Sequence, residues 1–163
     1  MNRQQFISYV EASGNALRRF LAALCCGNIP LADDLAQDTL LKAYLSCDGF
    51  HNPEKFKSWI YKIAYNNFLN SKRALRISDT LETLQQTKAP DVADASFRYE
   101  ELYKALNNLP PHERSSILLF YMEGYSTREI AAIEDISEDA VRQHLSRGRN
   151  HLKKLLDPLN SQF

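Results

Sequence analysis

Two stretches of the sequence carry basic side chains with no acidic residue among them. Residues 55–76 contain six lysines and arginines, and residues 140–154 contain five. Such groups bind nucleic acid through its phosphates, because phosphate contacts depend on local charge and not on the total, which is +0 for this chain. Two solvated helix faces would give the same pattern, so charge alone leaves both interpretations open.

The second basic stretch lies within a predicted helix-turn-helix. Ser126 and Glu129 are spaced as a capping box ahead of a helix over 127–134, and a longer helix follows over 138–156. An apolar stripe turns one face of the longer helix inward. A major-groove reader needs outward residues that meet base edges and flanking cations that meet phosphates. We expect contacts to bases from Arg142, Gln143, Ser146 and Arg147, and contacts to phosphates from Arg149 and Lys153.

The first basic stretch lies on a predicted helix over 54–75 that also carries aromatic and amide side chains. Tyr61, Tyr65 and Phe68 share one of its faces. Aromatic rings stack on unpaired bases while cations hold the backbone, so this pattern indicates a single-strand binding surface. An aromatic stripe at helical spacing is more often part of a core, which is the alternative interpretation.

A predicted helix over 31–47 has two apolar faces. One of them carries Leu41 and Leu45 and is bordered by Asp34 and Asp38. A second leucine face bordered by acid exceeds what one core needs, so it predicts a docking surface for a basic partner. A helix packed between two neighbours is the alternative.

The whole chain of 163 residues predicts an all-α fold with two small helical domains, residues 1–76 and 97–163. The intervening residues 77–96 are acidic and have no sustained apolar period, which predicts a linker. Fully extended, about 20 such residues span roughly 65–70 Å. Helices are predicted over 3–26, 31–47, 54–75, 97–107, 111–122, 127–134 and 138–156.

The residue types that carry out catalysis are poorly placed for it. The three cysteines have no paired spacing, the four histidines are scattered, and the five glycines form no phosphate-binding loop. We therefore expect no enzyme activity, no metal and no cofactor. The sequence has no signal-peptide pattern and no apolar run long enough to cross a bilayer, which predicts a cytoplasmic protein without membrane insertion.

Several motifs together span nearly the whole chain. The N-terminal motifs are 33–44, 56–66 and Asn70, and the C-terminal motifs are 106–110, Arg114, 123–126, 129–131 and 141–149. In residues, order and spacing they resemble the motifs of bacterial RNA polymerase sigma factors of the extracytoplasmic-function (ECF) group.

The resemblance implies a function for each domain. The N-terminal domain is similar to sigma region 2, which docks on the β′ clamp coiled coil of core RNA polymerase and melts and reads the minus-10 element. The C-terminal domain is similar to region 4, which binds the minus-35 element and the polymerase β-flap. Promoter DNA and an anti-sigma factor are the other implied partners. Polymerase docking is implied for Asp34, Gln37, Asp38, Leu41 and Leu45, and minus-10 binding for Asp48, Phe50, His51, Asn52, Lys62, Tyr65, Asn66, Asn70 and Arg73.

The chain departs from the family pattern in the helix-turn-helix. The family usually has an apolar residue and a glycine where this chain has Glu134 and Asp135, and Gly-Thr where it has Asp139 and Ala140. Aspartate tolerates left-handed backbone better than most residues, so we expect the fold to hold, while the base preference does not follow from the family pattern. A stand-alone helix-turn-helix regulator, or a sigma-like adaptor that binds polymerase without initiating transcription, remains an alternative.

Overall fold

The computed structural model describes residues 1–79 and 96–156, with side chains for 1–73 and 100–156. These residues form helices and connecting turns, and no strand occurs among them, which confirms the all-α fold class. The helices are α1 (Arg3–Leu24), α2 (Ile29–Ser46), α3 (Phe56–Asp79), α4 (Ser96–Asn107), α5 (Pro111–Ile117), α6 (Thr127–Glu134) and α7 (Glu138–Leu156). Most of the predicted linker, residues 80–95, lies outside the described residues.

Short irregular helices join some of these elements. Two 3₁₀ turns, Cys47–Gly49 and Pro53–Lys55, connect α2 to α3, and a π-helical turn, Leu118–Met122, continues α5. Within the described part of the chain, no helix is both long enough and apolar enough to cross a membrane.

The capping box ahead of α6 forms as predicted. The Ser126 hydroxyl accepts a hydrogen bond from the Glu129 amide, and the Glu129 carboxylate accepts one from the Ser126 amide, both at 3.2 Å. Asp135 ends the helix in the left-handed region, with φ 57° and ψ 49°. The usual glycine is therefore replaced by aspartate without loss of the turn, as expected.

The N-terminal module consists of α1, α2 and α3 around a core of Phe20, Leu24, Phe56 and other apolar side chains. One polar contact inside it also joins α2 to α3. The buried Asn67 donates to the Thr39 hydroxyl at 3.2 Å, and Thr39 donates to the Leu35 carbonyl at 2.6 Å. These bonds satisfy the buried polar groups and fix the register of the two helices.

In the C-terminal module, α7 approaches α5 very closely. A Cβ atom at Gly148 would lie 2.8 Å from Cγ1 of Ile117, so only glycine fits at this crossing. Nearby, the Nδ1 atom of His151 lies 2.9 Å from the buried Glu113 carboxylate. The close crossing fixes the orientation of α7 relative to α5.

The two modules pack against each other, with α3 lying on α6 and α1 on the π-helical turn. This packing buries the aromatic face of α3, defined as Tyr61, Tyr65 and Phe68, whose exposed fractions are 2%, 1% and 0%. The prediction that this face is open to unpaired bases is wrong for the conformation described, and the alternative of a core stripe holds. The physical reason is that a second module covers the face, which sequence periodicity does not reveal.

Candidate nucleic-acid and polymerase interfaces

The recognition helix α7 presents its predicted contact residues to solvent. Its buried side is formed by Val141, Leu145 and Gly148. All six predicted DNA-contacting residues are exposed, namely Arg142, Gln143, Ser146, Arg147, Arg149 and Lys153. One helix thus gathers four cations and two neutral polar groups on a surface that nothing in the described chain covers.

Two of these cations have partners within the module. The Arg142 guanidinium donates to the Asp139 carboxylate at 2.8 Å and to the Glu138 carboxylate at 3.0 Å. The Arg149 guanidinium donates to the Tyr121 hydroxyl at 3.0 Å. Because the Arg142 pairs are exposed, they contribute little to stability, but they partly neutralise the charge at the start of α7.

His144 lies between the outward face of α7 and the core. Its ring stacks on that of His112 at 5.6 Å between centroids, and its Nδ1 atom is buried without a hydrogen-bond partner. Burial, and after it the neighbouring His112, lowers the pKa of His144. The neutral imidazole of His144 is therefore favoured, so this side chain adds little positive charge to the N-terminal half of α7.

The unusual Glu134 lies at the C-terminus of α6 and is buried. Burial raises the pKa of its carboxyl to about 7, and hydrogen bonding from Ser116 only partly offsets that effect. The Ser116 hydroxyl lies 2.9 Å and 3.2 Å from the two carboxyl oxygens. The chain thus replaces an apolar contact with a polar one that changes protonation near neutral pH.

The loop between α2 and α3, residues 48–54, is anchored by one of its predicted DNA contacts. The Phe50 ring stacks on Trp59 at 4.5 Å between centroids, and its carbonyl accepts from the N-terminal ammonium group at 2.7 Å. Asp48, His51 and Asn52 are exposed on the same loop. Phe50 therefore holds the loop, while the polar residues around it are available to a ligand.

An open groove of about 440 Å³ lies between α2 and α3, beside this loop. Its lining contains two predicted contacts, Asn66 and Asn70, together with the half-buried ring of Trp59. Lys62 and Arg73, also predicted contacts, are exposed on α3. Tyr65 is the exception: it is buried, and its hydroxyl is hydrogen-bonded to Nδ1 of His112 in the other module at 2.6 Å.

The acid–leucine face of α2, defined as Asp34, Gln37, Asp38, Leu41 and Leu45, is exposed throughout. Leu41 and Leu45 are 57% and 73% exposed, although both are large apolar residues. The opposite side of α2, which includes Leu35, Ala36 and Ala43, is buried in the module. An apolar strip left in solvent beside acidic groups is typical of a protein-binding surface.

Comparison with known proteins identifies the family. Residues 9–77 match the family model of Sigma-70 region 2, and residues 99–152 match that of Sigma-70, region 4. The chain is 31% identical over 150 residues to the ECF RNA polymerase sigma factor EcfG of Rhodopseudomonas palustris, covering 90% of this chain and 82% of that protein. It is 34% identical over 137 residues to the RNA polymerase sigma factor CarQ of Myxococcus xanthus, covering 81% and 78%.

The chain belongs to the ECF group of RNA polymerase sigma factors. This sigma factor also resembles solved structures of its relatives. The sigma factor RpoE of Bartonella quintana, in complex with the anti-sigma factor NepR, superposes with a TM-score of 0.75 at 29% identity, covering 94% of this chain and 97% of that one. CnrH in complex with the cytosolic domain of CnrY gives a TM-score of 0.72 at 25% identity, covering 96% and 90%.

The family membership confirms the predicted function, promoter-directed initiation of transcription. The match to region 2 distinguishes this sigma factor from a stand-alone helix-turn-helix regulator. Sequence reasoning missed Arg114, His112 and Glu123, whose contacts cross between the modules. The Arg114 guanidinium donates to the Leu24 carbonyl at 2.8 Å, the Glu123 carboxylate accepts from the Tyr61 hydroxyl at 2.8 Å, and His112 is hydrogen-bonded to Tyr65. Arg114 and Glu123 occur within the family motifs, but no periodicity in the sequence indicates their partners.

Proposed function

We propose that this sigma factor reads the minus-35 element with α7 in the major groove of intact duplex. The observation that carries this proposal is the exposure of all six polar residues on one side of a helix whose other side is fixed by Gly148 against α5. Arg142, Gln143, Ser146 and Arg147 contact base edges near the helix start, and Arg149 and Lys153 contact phosphates.

The groove between α2 and α3 binds the melted minus-10 strand. Its amides, Asn66 and Asn70, hydrogen-bond to the edges of an extruded base, while Trp59 offers a ring surface. Lys62 and Arg73 hold the strand backbone, and the exposed Asp48, His51 and Asn52 of the adjoining loop contact the strand as well. Tyr65 is left out of this proposed set because it faces the other module.

Core RNA polymerase binds the acid–leucine face of α2, and the β′ clamp coiled coil is the proposed contact. The exposed Leu41 and Leu45 supply apolar area, and Asp34 and Asp38 supply charge opposite to a basic partner. The polymerase β-flap is the proposed contact of the C-terminal module. The sigma factor carries out no chemistry of its own, and it acts in the cytoplasm, where polymerase and the chromosome are.

An anti-sigma factor is the remaining proposed partner. The similar sigma factor RpoE has been solved in complex with the anti-sigma factor NepR, and the similar protein CnrH in complex with the cytosolic domain of CnrY. Both share the fold of this chain over more than nine-tenths of its length. The same surfaces that bind polymerase and DNA are the ones an antagonist would need to cover.

Transcription with purified components tests the proposed function. The full chain is mixed with bacterial core polymerase and a pool of genomic DNA fragments, and run-off transcripts are sequenced. We expect transcripts that begin downstream of one shared pair of promoter elements. The matched control is the Arg142→Ala, Arg147→Ala double variant, which retains the fold but should lose that selection. Binding to core without any specific transcript would identify the chain as an adaptor.

A further inference from the structure

We propose that the Tyr121 hydroxyl and the Arg149 guanidinium together bind one backbone phosphate of the minus-35 duplex. The two side chains are called the Tyr121–Arg149 clamp below. Tyr121 is then a further DNA contact, supplied by an element other than the recognition helix. The proposal rests on the proposed function above, in which α7 enters the major groove, and it adds a residue that the sequence pattern did not indicate.

Tyr121 lies in the π-helical turn Leu118–Met122, which continues α5. The amide of Glu123 donates to the carbonyl of Leu118, five residues back, at 3.2 Å. Such turns are rare and occur frequently at functional sites. Leu118 and Leu119 in the first half of the turn are buried, whereas Tyr121 is 58% exposed. A large ring so far in solvent leaves room for a ligand beside it.

Two neighbours hold the exposed ring of Tyr121 in place. The Phe120 ring packs edge-on against it at 5.0 Å between centroids, and the Arg149 guanidinium donates to its hydroxyl at 3.0 Å. Phe120 belongs to the same turn and Arg149 belongs to α7, so these contacts join the two elements. An exposed side chain that is ordered only on binding costs free energy. The Tyr121 hydroxyl is already positioned, so much of that cost is avoided.

The hydrogen bond between Tyr121 and Arg149 leaves both groups able to bind an anion. A tyrosine hydroxyl that accepts a hydrogen bond still has its own hydrogen to donate. A guanidinium has several N–H donors, and the Tyr121 hydroxyl takes one of them. Phosphate oxygens accept from hydroxyls and form short, charge-assisted bonds with arginine. One phosphate can therefore accept from the hydroxyl and the guanidinium at the same time.

The positive charge of Arg149 is less neutralised than that of Arg142. The Arg142 guanidinium forms ion pairs with Glu138 at 3.0 Å and with Asp139 at 2.8 Å. Within the part of the chain whose side chains are described, no carboxylate forms an ion pair with Arg149. Its hydrogen-bond partner is the neutral hydroxyl of Tyr121. The clamp therefore carries a net positive charge that an anion can neutralise.

The clamp lies beside the surface of α7 that is proposed to face DNA. Arg149 follows Arg142 by seven residues, which is close to two helical turns, or about 10.5 Å along the same side of the helix. Both arginines are exposed, and the opposite side of α7 is buried. Side chains at the start of a recognition helix meet base edges, and contacts to phosphates fix its orientation in the groove. Because Tyr121 belongs to the neighbouring turn, the clamp lies at the flank of α7, where the backbone bordering the groove passes.

The two members of the clamp should affect DNA binding in different ways. Tyr121→Phe removes a neutral hydroxyl and keeps the ring, so it should weaken binding by about threefold to tenfold at every salt concentration. The slope of log K against log salt should stay unchanged, because no charge is lost. Arg149→Ala should weaken binding and also flatten that slope by about 0.9. Both losses should be the same for every duplex sequence, since phosphates carry no sequence information.

A double-mutant cycle on the full chain tests the clamp. Fluorescence anisotropy measures binding of a short labelled duplex of mixed sequence over a range of low salt concentrations. Tyr121→Phe is introduced into the unchanged chain, into Arg149→Ala and into Lys153→Ala, where Lys153 is the matched control because it is a proposed phosphate contact outside the clamp. The loss caused by Tyr121→Phe should fall below about twofold in Arg149→Ala and persist in full in Lys153→Ala. Tyr9→Phe, which removes a hydroxyl from α1, should bind as the unchanged chain does.

Unchanged DNA affinity of Tyr121→Phe, or an equal loss in the Arg149→Ala and Lys153→Ala chains, would overturn the proposal. So would weaker binding of Tyr121→Phe to core polymerase with DNA binding intact, because the exposed ring would then contact a protein. Failure of the proposed function appears differently: the Arg142→Ala, Arg147→Ala double variant would bind the duplex as tightly as the unchanged chain. If only the clamp is wrong, that double variant binds weakly while Tyr121→Phe binds normally.

Discussion

The guanidinium of Arg142 lies 2.8 Å from the carboxylate of Asp139, one turn earlier on the recognition helix. Both side chains are exposed, and Asp139 stands where related sigma factors usually have a small residue. In the proposed complex, a carboxylate at this point would face the phosphates and base edges that Arg142 approaches. We therefore expect the pair to affect DNA binding more than stability.

Replacing Asp139 with alanine should tighten minus-35 binding. Loss of one negative charge raises the number of phosphates neutralised by about one, so the slope of log K against log salt should steepen by about 0.9. Titration of duplex DNA over a range of salt concentrations measures this. Asp139→Asn separates charge from hydrogen bonding. If both variants bind the minus-35 duplex more weakly, Asp139 instead holds Arg142 in position to contact a DNA base.

Reversal of charge at Asp38 should weaken binding to core polymerase. Asp38→Lys places a cation on the acid–leucine face opposite a basic partner, while an exposed change alters stability by less than about 0.5 kcal/mol. Titration of fluorescent polymerase gives the affinity. Glu11→Lys is the control, because Glu11 is an exposed acid on α1 and lies outside this face. Equal affinity for both variants would contradict the assignment of this face.

Truncation of Asn66 should damage strand opening alone. The Asn66→Ala variant loses an amide that lines the groove between α2 and α3, and an extruded base costs a few kcal/mol of stacking that such groups offset. Permanganate reactivity of thymines near the start site should fall, with minus-35 and polymerase binding unchanged. A pre-melted template should restore activity only in part. The control is Asn15→Ala, at an exposed position of α1. Normal permanganate reactivity with Asn66→Ala would show that a different part of the protein opens the strands.

The buried carboxyl of Glu134 predicts a pH-dependent stability. Its pKa is raised from 4.5 to about 7, so its contribution is fully present below pH 4.5 and is lost as the pH rises through 7. Glu134→Gln cannot ionise, and it should therefore gain about 2–3 kcal/mol over the unchanged chain between pH 5 and pH 8.

Urea unfolding of both proteins at several pH values measures that difference. The lowered pKa of His144 acts in the opposite direction: its contribution is present above pH 6.5 and is lost as the pH falls. Because both proteins retain His144, its effect cancels in the comparison. A difference that stays constant with pH would show that Glu134 is charged throughout.

Gly148→Ala should destabilise the C-terminal module. Alanine is the better helix former by about 1 kcal/mol, but its Cβ would lie 2.8 Å from Ile117, and overpacking costs about 1–3 kcal/mol. Thermal unfolding gives the net loss. Asn150→Ala, at an exposed position of the same helix, should be neutral or stabilising. In an Ile117→Ala background the opposing side-chain atoms are gone, so Gly148→Ala should destabilise the module less. If the two substitutions have additive effects on stability, Ile117 does not oppose the added methyl group.

Much of the fold was predictable because residues close to the ends of a helix signal where it starts and stops. The capping box at Ser126 and the left-handed turn at Asp135 depend on neighbours in sequence, and both formed as expected. The exposed leucines of α2 and the outward residues of α7 followed from periodicity. The burial of Tyr65 did not, because periodicity shows that a face is apolar or aromatic and says nothing about which molecule covers it.

The bonds that cross from one module to the other have one property in common. The Leu24 carbonyl, the Glu123 carboxylate and the Tyr65 hydroxyl all lie where water can replace the partner once the modules part. Hydrogen bonds exchanged for water change the free energy little in either direction, so the buried rings of Tyr61, Tyr65 and Phe68 supply most of the free energy of this contact. The polar bonds thus set the orientation of one module on the other more than they set how tightly the two adhere.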